Sequence, residues 1–291
     1  MIFIKIIELE DELYPERLKD IEEPPKRLYL LGNIKLMNEM NIAIVGSRNC
    51  SEYGRKYAKK FAKNLAQNGV NIVSGMAIGI DTVAHRGCME AKGKTIAVLG
   101  CGFEKIYPKE NKKLFYEILE NDGLIISEYE PSVEAQSNFF RKRNRIVSGI
   151  SLGVLVVEAA YRSGTSITAG YAKRQGRKVY CIPSSLENNK GVGTAYLVNK
   201  GAKLVLSQGD ILCDFNLKFN KNKNEDKYIN IKNIPAIYEN IYKNINSTGS
   251  YINEIVKSTG ICINEVSQKL FMMELEGFVE KRYGDLYVPK T

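Results

Sequence analysis

Seven short apolar runs, most of them β-branched, constrain the fold of this chain more than any other feature. They lie at 42–45, 71–74, 95–99, 124–127, 152–157, 179–182 and 203–206, with helical stretches between them. This is the βαβ rhythm of a mostly parallel sheet covered on both faces. Helix punctuation agrees: Ser51 is placed to cap a helix that ends before Gly69, Asp81 to cap another, and Gly176 to follow one over 167–175. The spacing predicts a doubly wound α/β domain over 41–215, with 1–40 as an N-terminal extension packing on it.

Beyond that domain, 216–233 is rich in Asn and Lys and poor in apolar residues, which reads as an exposed linker. Helical patterns return at 237–245, 252–258 and 264–276, followed by a hairpin over 278–288 turning at Gly284-Asp285. The order helix, helix, helix, wing predicts a second, small domain over 234–291. No internal repeat is visible.

The first eight residues lack the features of a signal peptide, and the longest apolar run, near 154–157, is far too short to span a bilayer. A cytoplasmic protein without a membrane anchor is expected. Six cysteines (50, 88, 101, 181, 213, 262) form no Cys-x-x-Cys pair, and His85 is the single histidine, so a zinc site has too few ligands at usable spacing. The thiols are expected to be reduced and in the core, and no metal or cofactor is expected. The net charge of +9 is uneven: 41–215 holds 25 Lys/Arg against 15 Asp/Glu, whereas 1–40 holds 6 against 9 and 236–291 holds 6 against 7. The central domain therefore carries the field that would concentrate a polyanion.

Within it, the run Phe139-Phe140-Arg141-Lys142-Arg143-Asn144-Arg145 sets two aromatic rings beside four cations. Guanidinium groups fork onto phosphate and rings offer sequence-tolerant stacking platforms, a pairing suited to single-stranded nucleic acid. The alternative is a solvated basic turn whose Phe residues face the core. Ligands of open α/β sheets bind at the carboxyl ends of the strands. Those ends carry Gly46-Ser47-Arg48, Gly75-Met76-Ala77-Ile78-Gly79, Gly100-Cys101-Gly102 and Ser163-Gly164-Thr165-Ser166. Such loops present backbone N–H groups, hydroxyls of Ser47, Ser163 and Thr165, and helix N-termini to phosphate. Any one glycine there has a steric explanation as well.

Nucleotide sites fit poorly. The first turn, Gly46-Ser47-Arg48-Asn49-Cys50-Ser51, lacks Gly-x-Gly-x-x-Gly spacing, and Gly93-Lys94-Thr95 enters a strand with Gly87 one place too early for a Walker loop. Asp81 and His85 lie one helical turn apart, but a helix cap and a locally bonded histidine explain them better than an acid–base pair. Glu158, after the 152–157 run, is the other candidate acid, with a bond to the next loop or to a nearby arginine as its alternative.

Taken in order, these motifs resemble the DNA-processing protein A (DprA/Smf) family. The likeness covers nearly the whole chain: Tyr14-Pro15, Val45-Gly46-Ser47-Arg48, Ser74-Gly75-Met76-Ala77-Ile78-Gly79-Ile80-Asp81, Ala97-Val98-Leu99-Gly100-Cys101-Gly102, Tyr107-Pro108, Ser127-Glu128, Arg143-Asn144-Arg145, Val156-Val157-Glu158 and Ser163-Gly164-Thr165-Ser166. The resemblance implies an extended Rossmann-like core that binds single-stranded DNA without catalysis, protects incoming strands and helps load RecA recombinase in natural transformation. It also implies a homodimer and, for 234–291, a winged-helix domain. It assigns the DNA groove to Arg48, Phe140, Lys142, Arg143 and Arg145, with Ser47, Asn144 and Ser163 beside them and Gly164 and Thr165 in the same loop. Where the family usually has Phe-Pro this chain has Phe140-Arg141, leaving a looser loop and the stacking ring open between Phe139 and Phe140. The family's Gly-x-Asn reads Gly193-Thr194-Ala195 here. Two rivals remain: a Rossmann-like nucleotide phosphoribohydrolase using Glu158, whose Pro-Gly-Gly-x-Gly-Thr motif is absent, and a duplex-binding regulator working through the winged helix, which the charge of 236–291 does not favour.

Overall fold

A computed structural model describes residues 3–160, 163–184, 191–215, 234–246, 249–282 and 284–289. The 216–233 segment expected as a linker lies outside them. The chain divides into two compact units, Met1–Phe219 and Asn220–Thr291.

The first unit is α/β and Rossmann-like. Its strands are β1 (Lys5–Glu8), β2 (Arg27–Gly32), β3 (Asn41–Val45), β4 (Asn71–Ser74), β5 (Thr95–Leu99), β6 (Leu124–Ser127), β7 (Gly153–Val156), β8 (Lys178–Cys181) and β9 (Lys203–Leu204). They form one nine-stranded sheet in the order β1-β2-β6-β5-β4-β3-β7-β8-β9. From β3 to β9 neighbours are parallel, and β3, β4, β5, β6 and β7 are buried at every residue, as parallel strands covered on both faces must be. Alternate residues feed opposite layers: Ala43, Val73, Ile96 and Val98 point to one core, Ile42, Ile44 and Ile72 to the other.

The helices are α1 (Glu16–Lys19), α2 (Glu52–Gln67), α3 (Ile80–Glu90), α4 (Lys112–Glu120), α5 (Ser137–Gly149), α6 (Gly164–Arg174), α7 (Val192–Asn199) and α8 (Gln208–Leu212). Ile146, Val147 and Ile150 of the α5 segment and Ala169 and Ala172 of α6 close one layer. Phe61 and Leu65 of α2, Val83 and Ala84 of α3, and Ile211 and Leu212 of α8 close the other.

Four expectations about the elements of this unit need correction. Residues 1–40 do more than pack on the core, because β1 and β2 extend the sheet, with β2 antiparallel to β6. The basic–aromatic run is not a loop; it lies in α5. Helix α6 begins at Gly164, three residues earlier than its apolar pattern implied, because Ser163 caps it by accepting from the Ser166 N–H. Asp81 does not cap α3: Gly79 occupies that position at φ 84°, where a Cβ would collide with the Ser47 and Arg48 carbonyls. Ser51 caps α2 as expected, accepting from the Gly54 N–H at 3.0 Å.

The second unit contains α9 (Ala236–Lys243), β10 (Ser250–Tyr251), α10 (Ile252–Thr259), α11 (Ile263–Leu275), β11 (Val279–Arg282) and β12 (Leu286–Pro289). Its strands form an antiparallel sheet in the order β10-β12-β11, and β11 and β12 are joined through Gly284 (φ 79°) and Asp285 (φ 62°). Ile241, Ile255, Val266, Leu270, Met273 and Val279 fill its own core. Among the described residues no helix is long and apolar enough to cross a membrane. Cys88, Cys101 and Cys181 are buried thiols, but Cys213 and Cys262 are exposed, so the expectation of core positions fails for these two.

Candidate functional site

Strand order reverses at β3: β4, β5 and β6 build one way, β7, β8 and β9 the other. Loops leaving β3 and β7 must part there, and the gap at the carboxyl ends is the binding crevice of such sheets. A cleft of about 660 Å³ opens at that point. Gly46, Ser47 and Arg48 line it from the loop after β3, Gly75 and Ala77 from that after β4, and Tyr107 from that after β5. One wall is α5, through Ser137, Phe140, Arg141, Arg143, Asn144 and Val147; the other is the start of α6, with Ser163, Gly164, Thr165 and Thr168. The α5 residues recur at three- and four-residue spacing, one face of a helix.

Arg48 is exposed, and its guanidinium lies 5.6 Å from the centroid of the Phe140 ring. Tyr107 stands 5.3 Å from the same ring at 41°. The two rings part company here: Phe139 turns away and stacks on Tyr129 at 4.1 Å and 20°, while Phe140 lines the cleft. Gly100 is what admits the Phe140 ring: a Cβ there would lie 2.8 Å from its Cδ1. That glycine loop therefore makes room for a side chain and lines no part of the cleft. Arg141 is exposed beside Phe140, and Asn144 links the two walls by donating to the Gly164 carbonyl at 3.3 Å. The N-terminus of α6 presents its partial positive charge to the cleft between Ser163 and Thr165.

Arg143 lines the cleft with its guanidinium already committed to the protein. It lies at the cleft floor, only 4% exposed, and its Nη1 donates to the Gly75 and Val98 carbonyls. Buried Asp81 faces it and accepts from the Gly75 N–H (3.2 Å) and the Ala77 N–H (3.4 Å). Burial raises the Asp81 pKa, with the Arg143 charge opposing the rise, and burial lowers that of Arg143. The pair clamps a loop in which Met76 holds the left-handed conformation (φ 62°), costly for a side chain with a Cβ. Two amides expected to meet phosphate are thus already taken by Asp81.

Arg145 and Lys142 do not line the cleft. Arg145 is 3% exposed and donates from Nη2 to Glu128 at 2.6 Å, and Lys142 lies 3.4 Å from the same carboxylate. The sequence signal for this was present: residues 142 and 145 share the side of α5 opposite Phe140 and Asn144.

The candidate acids are engaged elsewhere. Glu158 is fully buried, and Oε2 accepts the Ser51 N–H at 2.9 Å while Oε1 accepts the Ser51 hydroxyl. A Cβ on Gly54 would strike this carboxylate, which explains a glycine inside α2. Glu158 does not line the cleft. His85 bonds Thr95 through Nδ1 at 2.7 Å, and burial lowers its pKa to about 3, leaving it neutral. Gly193 sits under the Ala159 and Ala160 carbonyls, where only a hydrogen fits, and is outside the cleft lining.

Residues 5–216 match the family described as DNA recombination-mediator protein A. The DNA processing protein DprA of Streptococcus pneumoniae is 43% identical over 205 residues, covering 70% of this chain and 72% of that protein. Protein Smf of Escherichia coli is 34% identical over 278 residues, 94% of this chain and 74% of its own length. Among solved structures, the pneumococcal DNA processing protein A superposes with a TM-score of 0.70 at 41% identity, over 72% of this chain and 74% of that one. The Helicobacter pylori DNA processing protein A, described for its single-stranded DNA binding mode, gives a TM-score of 0.65 at 31% identity, over 72% and 95%.

Proposed function

The chain belongs to the DNA recombination-mediator protein A family, and from that membership we propose that it acts in DNA processing by holding single-stranded DNA in the cleft between β3 and β7. One observation carries the reading: an exposed Arg48 stands over a Phe140 ring that lines an open crevice. Arg48 and Arg141 serve the backbone phosphates, Phe140 stacks on a base with Tyr107 beside it, and the α6 N-terminus with Ser163, Gly164 and Thr165 receives a further phosphate. Ser47 and Asn144 shape the walls, and Arg143 acts as a clamp on the Gly75 loop. Non-catalytic action is supported by the employment of Glu158 on Ser51 and of His85 on Thr95. A role in loading RecA recombinase, a homodimeric state, a cytoplasmic setting and a winged-helix character for 234–291 belong to the same proposal. Photo-crosslinking with an oligothymidine carrying 5-iodouracil tests it: adducts are expected on Phe140 or Tyr107, and adducts confined to 234–291 would overturn it.

A further inference from the structure

Beyond Arg48 and Arg141, little of the central domain's positive charge faces the cleft freely. Arg143 is spent on Gly75, Val98 and Asp81, and Arg145 and Lys142 share Glu128. The largest group of cations lies on α2, where Arg55, Lys56, Lys59, Lys60 and Lys63 stand against a single acid of the helix, Glu52. Their spacing confines them to about 140° of arc over about 12 Å of helix, while Ala58, Phe61, Ala62 and Leu65 face the core. Lys59 pairs with Glu90 at 2.8 Å. Among the described residues the other four have no acidic partner within ion-pair distance, although an ordinary solvated helix here mixes signs, as Lys113 with Glu117 does on α4 and Lys269 with Glu265 on α11.

Position gives this stripe a use. Helix α2 leaves the cleft directly after the Arg48 loop, and its first residue follows Ser51, which Glu158 ties to the end of β7. A strand longer than the cleft must leave it. At the other end, the segment before α5 presents exposed Glu130 and Glu134, the latter paired with Lys105 at 3.5 Å, and Glu110 lines the small pocket beside Phe140. That side offers phosphates mixed charge, whereas the way past Arg48 leads onto the cations of α2. We propose that the outer face of α2 is a second polyanion track that carries the same single strand onward from the cleft. The track spans roughly two phosphates and makes contact through Arg55, Lys56, Lys60 and Lys63. This rests on the single-strand reading of the cleft.

The test is a length comparison on the full chain. Labelled oligothymidines of about 6 and about 20 nucleotides are titrated at several salt concentrations against the native protein and against Arg55→Gln, Lys56→Gln, Lys60→Gln and Lys63→Gln combined. The variant should bind the short oligonucleotide within about two-fold of the native protein, lose about tenfold or more for the long one, and show a salt slope shallower by about 1.4, two phosphate contacts, for that ligand only. A Lys56→Arg, Lys60→Arg and Lys63→Arg variant, which keeps the charge, should retain the length increment, and matching melting curves confirm that all variants fold. An undiminished increment in the Gln variant overturns the track, as does a loss confined to duplex of the same length. If the native protein binds neither oligothymidine, the cleft reading fails first and the track falls with it.

Discussion

Two arginines two places apart in Arg143-Asn144-Arg145 read alike in the sequence, yet neither is available to phosphate as Arg48 is. Arg48→Ala is expected to weaken single-strand binding by about 1 to 3 kcal/mol and to lower the salt slope by about 0.7, one phosphate contact, with unchanged melting. Arg143→Ala should instead destabilise the fold by about 3 to 5 kcal/mol, because it leaves Asp81 buried without its counter-charge. Denaturant titration separates the two, and an Arg143→Ala protein that melts like the native one would contradict the clamp. Phe140→Ala should cost about 1 to 3 kcal/mol of affinity with no change in salt slope, since stacking releases no counterions. His85 adds a pH dependence whose sign is fixed. Its folded pKa of about 3 lies below the unfolded value near 6.5, so the unfolded chain binds the extra proton. Stability then falls as pH drops from about 6.5 toward 3, by up to about 1.4 kcal/mol per unit. In His85→Gln that part of the acid-side slope should vanish; an unchanged slope would show that His85 is protonated in the fold. The charges were legible as residue types, but which of them would be buried was not, because Glu128 and Asp81 become partners only through the fold.

At the scale of elements, the parallel strands β3 to β7 were legible because continuous burial leaves short apolar runs. Helix α5 was not: its Phe, Arg and Asn content suggests a binding loop, and its apolar face is short, Ile146 and Val147 and then Ile150 beyond its end. A helix matters to the proposed site, since it fixes Phe140, Arg141 and Asn144 at one wall and sends Lys142 and Arg145 to the other side. Gly100 couples β5 to that wall. Gly100→Ala should push the Phe140 ring out of place and weaken oligothymidine binding as Phe140→Ala does, again without a change in salt slope. Native affinity in a folded Gly100→Ala protein would show that the ring's position is immaterial. Strands β1 and β2 were missed as sheet members because Pro24-Pro25 and a high acidic content make 1–40 read as a surface extension.

For the whole molecule, the charge count puts the cationic excess in 41–215, and within it the structure commits Lys142 and Arg145 of α5 to Glu128 while α2 carries Arg55, Lys56, Lys59, Lys60 and Lys63. The second unit has its own core and near-neutral charge, and its α11 exposes Phe271 and Leu275. Truncation after about residue 225 is therefore expected to leave single-strand binding within a few-fold of native, because counterion release needs cations near phosphate. The most direct measurement is a titration of the full chain, and of its Arg48→Ala variant, with oligothymidine and with duplex of equal length at several salt concentrations. The cleft account predicts tighter binding of the single strand and a linear fall of log affinity with log salt whose slope drops by about 0.7 in Arg48→Ala. Equal or tighter duplex binding that is lost on removing 234–291, with a slope that Arg48→Ala leaves unchanged, would contradict it.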